Sequence, residues 1–220
     1  MKKFVVVAGN IGVGKSSLVE RLSRKLDWRP FYEPEAHNPY LADFYRDMSA
    51  WGFQSQIYFL ANRLHAQRQL INHPDSVIQD RSIYEDAEIF ACALHEQGTM
   101  NDRDYATYRD LFTALSGFIP PPDLVVYLRA SVSTLLTRIT LRSREYERAI
   151  PSAYLELLNR LYEGWIASFT LCPVLTVPAD NLDFVAHPGH LELIVQKVQE
   201  KLTGKEVVLF DPQEISTSTD

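Results

Sequence analysis

A run of glycines followed by a lysine and a serine, Gly9–Ser16, lies near the start of the chain. The apolar stretch Phe4–Ala8 precedes it and the helical pattern Ser16–Leu26 follows. This order predicts a phosphate-binding loop, because glycines let backbone N–H groups approach a polyphosphate and a helix N-terminus favours an anion. Lys15 is expected to contact the β- and γ-phosphates, and the Ser16 hydroxyl to bind Mg²⁺. The residues expected to surround the phosphates are Gly9, Asn10, Ile11, Gly12, Val13, Gly14, Lys15, Ser16 and Ser17.

Two acidic residues come directly after candidate strands. Glu33 follows Arg29–Tyr32, and Asp80 follows Val77–Gln79. Chemistry in a parallel sheet collects beyond the carboxyl ends of the strands, so both carboxylates are expected near the transferred phosphate. One could take a proton from an attacking hydroxyl while the other organises Mg²⁺ through water. The alternative is that each acidic residue is a helix cap or a surface group.

A basic cluster lies in the second half of the chain. Arg138 and Arg142 are four residues apart and share a helix face, and Arg144 lies just past the expected helix end. Like charges at this spacing repel unless an anion lies between them. The cluster therefore indicates a mobile lid that closes on the phosphates, the alternative being a solvated face with Glu145 and Glu147 as counter-charges.

A third group of polar residues lies on one helix face. Gln56, Leu60 and Arg63 are spaced at i, i+4 and i+7, so a carboxamide and a guanidinium point in the same direction. A carboxamide can pair with a nucleobase edge through two hydrogen bonds. Asp86 could pair with Arg63, which would also suit a purely structural ion pair within a helix bundle.

Composition limits the classes of protein. The 220 residues are 46% hydrophobic, enough for a sizeable core, and the net charge of −6 disfavours nucleic acid or an anionic membrane as partner. Cys92 and Cys172 lie far apart in apolar surroundings, which predicts reduced core thiols. The N-terminus lacks a signal-peptide pattern and no long apolar run is present, so a cytoplasmic protein is expected.

Strand and helix patterns alternate along the chain, which predicts a parallel sheet covered by helices on both faces. Residues 1–205 are expected to form one domain, and 206–220 a partly disordered tail, since 211–220 has no core face. The predicted strands are Phe4–Ala8, Arg29–Tyr32, Val77–Gln79, Leu124–Leu128 and Val174–Val177. The predicted helices are Ser16–Leu26, Leu41–Asp47, Phe53–Ile71, Tyr84–Gln97, Asp102–Ile119, Val132–Ser143, Ser152–Phe169 and His190–Leu202.

Taken together, these motifs resemble the deoxyribonucleoside kinases. They are Gly9–Ser17, Glu33-Pro34, Gln56 with Arg63, Asp80-Arg81-Ser82 with Asp86, Arg138-x-x-x-Arg142-x-Arg144-x-x-Glu147, and Asp180–Phe184, which resembles the family's adenine-binding loop. The resemblance implies a P-loop NTPase-like α/β fold with a five-stranded parallel sheet of order 2-3-1-4-5 and an Arg-rich lid. It also implies ATP as phosphoryl donor, Mg²⁺ as cofactor, a deoxyribonucleoside as acceptor and a homodimer.

The resemblance also implies roles for single residues. Glu33 would be the general base on the 5′-hydroxyl, and Arg81 would orient Glu33 and the transferring group. The other implied nucleoside-binding residues are Gln56 for the base, Arg63 and Asp86 at the far end of its pocket, Phe90 against the base, and Tyr45 and Glu147 for the sugar 3′-hydroxyl. The implied donor and metal residues are Lys15, Arg138, Arg142, Arg144, Asp183 and Phe184, with Ser16 and Asp80 for Mg²⁺.

Two departures from the family pattern concern Asp80, where some relatives have Glu, and Phe59, which is bulkier than the usual residue. The expected reaction is ATP-dependent phosphorylation of a deoxyribonucleoside 5′-hydroxyl. Gln56 complements adenine or cytosine, and Phe59 favours deoxyadenosine, with deoxycytidine and deoxyguanosine left open. One alternative is a thymidylate-kinase-like enzyme, which would not need Glu33 as base. Another is a nucleotide-binding switch, although the Asn-Lys-x-Asp guanine motif is absent.

Overall fold

A sheet of five parallel strands forms the centre of the computed structural model, which describes residues 1–32, 38–142 and 150–219. The strands are β1 (Phe4–Gly9), β2 (Arg29–Phe31), β3 (Val77–Asp80), β4 (Leu124–Arg129) and β5 (Val174–Pro178). Their order across the sheet is β2-β3-β1-β4-β5, and every pair is parallel. The predicted fold class and strand order are confirmed.

The central strand β1 is apolar throughout because both of its faces are covered, as is usual in parallel sheets. Its six residues are all buried, and Val7 lies in register with Asp80 of β3. The loop after β1 and the carboxylate that ends β3 therefore meet at the same edge of the sheet. The strands β2 and β3 lie on one side of β1, and the later strands β4 and β5 lie on the other side. In parallel sheets, ligands usually bind at the carboxyl-end edge where the direction of the strand order changes in this way.

Ten helices surround the sheet in the described parts of the chain, and none of them is long and apolar enough to cross a bilayer. Helices α1, α8 and α9 supply Leu18, Leu155 and Ile194 to the main core. The helices are α1 (Lys15–Leu26), α2 (Leu41–Arg46), α3 (Met48–Asn72), α4 (Ile83–Glu85), α5 (Cys92–Glu96), α6 (Asp102–Ser116), α7 (Val132–Arg142), α8 (Ser152–Ser168), α9 (Pro188–Leu202) and α10 (Pro212–Thr217).

Most helix boundaries lie within three residues of their predictions, and two helices differ more. Helix α3 begins at Met48 rather than Phe53, because the Asp47 side chain accepts a hydrogen bond from Ala50 N at 3.0 Å and caps the helix there. The predicted helix Tyr84–Gln97 is interrupted by a π-helical turn, Asp86–Ala91, between α4 and α5. Such turns are frequent at functional sites, and this one carries Asp86 and Phe90.

The C-terminus also differs from its prediction. Helix α10 occupies part of the segment expected to be disordered, and a capping box between Asp211 and Glu214 starts it. Ile215 packs against the main core, and Lys197 Nζ of α9 lies 2.8 Å from Glu214 Oε2. These long-range contacts give the segment the core face that its local sequence pattern lacks.

Candidate active site

The glycine loop after β1 has the conformation of a phosphate cradle. Gly12 and Gly14 have φ angles of 79° and 105°, which favour glycine. A Cβ on Gly12 would lie 2.6 Å from Ile139 Cγ1, so a larger residue does not fit there. Lys15 Nζ donates to Gly9 O at 2.9 Å and to Asn10 O at 3.0 Å, which places the ammonium group across the loop.

A cavity of about 710 Å³ opens over this loop, a size typical of small-molecule sites. Its three walls are the loop with the start of α1, one face of α7, and the segment after β5. The lining residues are Ile11, Gly12, Val13, Gly14, Lys15, Ser16, Ser17, Ser133, Thr134, Thr137, Arg138, Leu141, Arg142, Leu182, Asp183, Phe184 and Val185. The predicted phosphate residues Ile11–Ser17 therefore share one cavity with Arg138, Arg142 and the segment predicted to hold the donor base.

Ser16 and Asp80 meet at the floor of the site. Ser16 Oγ donates a hydrogen bond of 2.5 Å to Asp80 Oδ2, so the shorter side chain of Asp80 does reach the serine of the loop. A hydroxyl and a carboxylate are the kind of oxygen ligands that Mg²⁺ prefers. No group of three His, Cys, Asp or Glu side chains suited to a metal occurs in the described parts of the chain. A metal at Ser16 and Asp80 would thus need further oxygens from a bound phosphate.

Arg81 follows Asp80 in a left-handed backbone conformation, with a φ of 65°. Its guanidinium carbon lies 4.3 Å from the centre of the Phe90 ring, a cation–π arrangement. Such a conformation is costly for a residue other than glycine and persists where the surrounding structure enforces it, often at functional sites. The two site residues predicted here, Arg81 and Phe90, are therefore in direct contact.

Glu85 is a part of the site that the sequence analysis missed. Its carboxylate is fully buried and accepts hydrogen bonds from Gly9 N at 3.2 Å and Tyr162 Oη at 2.8 Å. The same carboxylate accepts from Ser82 N at 2.7 Å and lies 3.9 Å from Arg81 Nε. Glu85 therefore ties the phosphate loop, the segment after β3 and α8 together. The spacing Ser82-x-x-Glu85, a capping-box pattern, was the sequence signal for it.

The electrostatics of Glu85 reflect its position. Burial raises the pKa of the Glu85 carboxyl, and the cations Arg81 and Lys15 act in the opposite direction. Those two cations are residues predicted to act on the phosphates. The buried carboxylate thus lies where its charge can fix their positions.

The predicted pairing of Arg63 with Asp86 is confirmed. Arg63 Nε donates to Asp86 Oδ2 at 2.7 Å, and Arg63 Nη2 donates to Asp86 Oδ1 at 3.0 Å. The remaining guanidinium nitrogen, Nη1, donates to Arg81 O at 3.1 Å. Since Arg63 also holds the backbone of the Asp80-Arg81 segment, it links α3 to the carboxyl-end edge of the sheet.

The predicted helix face of α3 is also confirmed, since Gln56, Leu60 and Arg63 are all buried. The Oε1 atom of Gln56 is buried and accepts no hydrogen bond from any residue that the structure describes. A buried acceptor without a donor is costly, typically by about 1–3 kcal/mol. The carboxamide oxygen is therefore available to a ligand donor.

The arginines of the predicted lid have two different settings. Arg138 donates to Val13 O and to Ala179 O, both at 2.7 Å, so it joins the phosphate loop to the end of β5. Arg142 is exposed at the end of α7 and lines the cavity. Arg138 therefore braces the cavity walls, whereas Arg142 lines the cavity from the end of α7.

The remaining predicted residues divide into three groups. Tyr45 is half-buried against the main core. Asp183 and Phe184 line the cavity, and a Cβ on Gly14 would lie 3.3 Å from Phe184 Cζ, so the phenyl ring packs over the phosphate loop. The predicted residues Glu33, Arg144 and Glu147 lie outside the described residues.

A second asparagine, Asn159, supports the predicted loop residue Asn10 and was missed by the sequence analysis. Asn10 Nδ2 donates to Asn159 Oδ1 at 2.8 Å, and Asn159 Nδ2 donates to Ala130 O at 2.9 Å. Asn159 lies on α8, far from the loop in sequence. No local pattern marks Asn159, because its role depends on contacts between distant elements.

The parallel sheet and the phosphate cradle define a nucleotide-binding protein of the P-loop NTPase fold. The deoxynucleoside kinase family model matches residues 5–203. The chain is 40% identical over 196 residues to a deoxyadenosine/deoxycytidine kinase of Bacillus subtilis, covering 88% of this chain and 90% of the relative. It is 39% identical over 199 residues to a deoxyadenosine kinase of Dictyostelium discoideum, covering 90% and 80%.

A solved structure gives the same result in three dimensions. The deoxyadenosine kinase of M. mycoides with bound dATP superposes with a TM-score of 0.81 at 32% identity, covering 90% of this chain and 99% of that one. The chain belongs to the deoxynucleoside kinase family. It is an enzyme that transfers a phosphoryl group, a deoxynucleoside kinase.

Proposed function

We propose that the protein transfers the γ-phosphoryl group of ATP to the 5′-hydroxyl of a deoxyribonucleoside, with deoxyadenosine as the preferred acceptor. Deoxycytidine and deoxyguanosine are secondary acceptors. Two of the relatives, the deoxyadenosine/deoxycytidine kinase of Bacillus subtilis and the deoxyadenosine kinase of Dictyostelium discoideum, support this choice.

The observation that carries the proposal is the buried, unpartnered Oε1 of Gln56. It lies on the same face of α3 as Arg63, whose guanidinium donates to Arg81 O at the carboxyl-end edge of the sheet. A nucleoside laid along this face would place its base at Gln56 and its sugar toward the phosphate loop. The amino group of adenine or cytosine can donate to the carboxamide oxygen, while the carboxamide N–H donates to the neighbouring ring nitrogen.

The cavity over the phosphate loop is assigned to ATP. Backbone amides of the loop and Lys15 would bind the phosphates, and Phe184 with Asp183 would adjoin the donor base. Mg²⁺ fits the contact of Ser16 with Asp80, where a hydroxyl and a carboxylate oxygen are already 2.5 Å apart. When bound there, Mg²⁺ supplies positive charge to the phosphate oxygens.

Glu33 is proposed as the general base that accepts the proton of the 5′-hydroxyl. It comes two residues after the end of β2 in the sequence, and the carboxyl end of β2 lies at the same edge of the sheet as the phosphate loop. Arg81 would neutralise charge on the transferring group, and Arg142 and Arg144 would do so from the lid. In-line positioning and charge neutralisation then account for most of the rate enhancement.

Tyr45 and Glu147 are proposed to hold the sugar 3′-hydroxyl, and Phe90 to pack against the base. The homodimer is proposed from the family resemblance alone, and the cytoplasmic location from the two free cysteines, Cys92 and Cys172.

The test of this function is the acceptor class. The protein is incubated with γ-labelled ATP and Mg²⁺, and with each deoxyribonucleoside, each deoxynucleoside monophosphate, or neither. We expect label only in deoxynucleoside 5′-monophosphates. Label in diphosphates would indicate a thymidylate-kinase-like enzyme, and label in inorganic phosphate without acceptor would indicate a hydrolysing switch.

A further inference from the structure

Helix α10 lies beyond the stretch that matches the family model, which ends at residue 203. It nevertheless packs against the N-terminal part of α9. The backbones are so close that a Cβ on Gly189 would lie 2.1 Å from Ser218 O. The ion pair between Lys197 and Glu214 holds the same helix further along α9. We call residues 212–219 the C-terminal clasp.

One buried side chain connects this clasp to the cavity wall. Nδ1 of His190 accepts a hydrogen bond from Asp183 N at 3.0 Å. Its Nε2 lies 3.2 Å from Ile215 O and 3.0 Å from Thr219 Oγ1. Because Nδ1 is the acceptor, Nε2 carries the proton and donates toward the clasp. The His190 side chain is 4% exposed, so its ring is shielded from water.

Asp183 begins the turn that shapes this cavity wall. Its carboxylate accepts hydrogen bonds from Val185 N and Ala186 N, both at 3.0 Å. Phe184, the next residue, packs against Gly14 of the phosphate loop. A shift of the Asp183 backbone would therefore move the wall assigned to the donor base.

We propose that the C-terminal clasp, acting through His190, positions the donor-base loop Leu182–Val185 for the nucleotide. His190 is a positioning residue, since it touches the loop backbone and the clasp rather than the reacting atoms. The inference depends on the proposed function for one point, the assignment of this cavity to the donor nucleotide.

Gly189→Ala tests the clasp without altering His190 or the loop. Alanine suits a helix, and the added methyl group must displace the end of α10 because its position lies 2.1 Å from a backbone oxygen. Gly164→Ala is the matched control. It makes the same change in helix α8, at an exposed glycine whose Cβ would have no atom within 4 Å.

Two further variants separate the two bonds of His190. A glutamine amide can replace Nε2 and keep the bond to Ile215 O, whereas an asparagine oxygen can replace Nδ1 and keep the bond to Asp183 N. His190→Gln should therefore lose the contact with the loop directly. His190→Asn should keep that contact and lose its support from the clasp.

The main readout is the affinity for ADP with Mg²⁺, measured by calorimetry on the full-length protein, followed by the KM values for ATP and for deoxyadenosine. A hydrogen bond of ordinary strength corresponds to about threefold to tenfold in binding. We expect Gly189→Ala and His190→Gln to weaken ADP binding and to raise the KM for ATP, each by about that factor. The ADP affinity and the KM for ATP of His190→Asn should lie between those of these two variants and those of wild type. The KM for deoxyadenosine and the kcat at saturating ATP should stay within about twofold, as should every value for Gly164→Ala.

Faster hydrogen exchange at the Asp183 amide should accompany the loss of affinity. The proposal is overturned if Gly189→Ala and His190→Gln both bind ADP as wild type does. It is also overturned if both substrates' KM values and the melting temperature change together, since that would indicate general destabilisation. Failure of the proposed function is distinct: the wild-type protein would then bind ADP without phosphorylating a deoxynucleoside, or would not bind ADP at all.

Discussion

Arg63 and Asp86 form an ion pair through two hydrogen bonds, 2.7 Å and 3.0 Å long, and both side chains are 3% exposed. Removing one partner of a buried pair leaves an uncompensated charge. We therefore expect Asp86→Asn to lower the free energy of unfolding by about 3–5 kcal/mol, measured by urea denaturation.

The matched control is Glu88→Gln, which breaks the ion pair of Glu88 with Arg109. These side chains are 37% and 34% exposed, so the loss should be at most about 1 kcal/mol. Equal losses for the two variants would contradict the assignment of a buried, tightly held pair at Arg63.

Replacing Gln56 with leucine should affect stability and activity differently. Because its Oε1 has no donor among the described residues, Gln56→Leu should leave the free energy of unfolding unchanged or raise it. The same change should lower kcat/KM for deoxyadenosine by about 100-fold or more, since the base loses both hydrogen bonds. Gln67→Leu, at another buried position of α3, should leave kcat/KM within about twofold. A stable Gln56→Leu enzyme with normal kcat/KM would remove Gln56 from base recognition.

Glu33→Gln tests the proposed general base. The amide keeps the size of the side chain but cannot accept the proton, so turnover should fall at least about 100-fold while deoxyadenosine binding persists. Single-turnover kinetics measures the turnover, and calorimetry measures the binding of deoxyadenosine. Near-normal turnover would assign the base to another group.

The pH dependence of thiol labelling tests the surroundings of Cys172. The cysteines, predicted as core residues, are half-buried, and burial raises the pKa of Cys172 to about 12. The thiol is therefore protonated at pH 8, and iodoacetamide should label it about a thousandfold more slowly than in the unfolded chain. The rate should rise about tenfold for each unit of pH. The experiment uses the Cys92→Ser protein and mass spectrometry, and labelling at the unfolded rate would contradict it.

The sequence predicts those parts of the site that depend on local pattern. The apolar run of β1, the glycines at Gly12 and Gly14, and the helical spacing from Gln56 to Arg63 each follow from the conformation of one segment. The contact of Ser16 with Asp80 follows from the ends of neighbouring strands.

Other parts depend on elements that meet only in the folded chain. Glu85 contacts Gly9 and Tyr162, which are 76 and 77 residues away, so its capping-box pattern alone shows only a helix start. The π-helical turn at Asp86 has no distinct local pattern. Helix α10 was missed because Ile215 finds its apolar partners on elements that are distant in sequence.

The most direct test of the whole account is one competition reaction. The wild-type protein receives γ-labelled ATP, Mg²⁺ and equal concentrations of deoxyadenosine, deoxycytidine, deoxyguanosine and thymidine, and the labelled monophosphates are separated. The account predicts that deoxyadenosine 5′-monophosphate carries most of the label and thymidine 5′-monophosphate the least. Thymidine 5′-monophosphate as the main product, or label in inorganic phosphate alone, would contradict it.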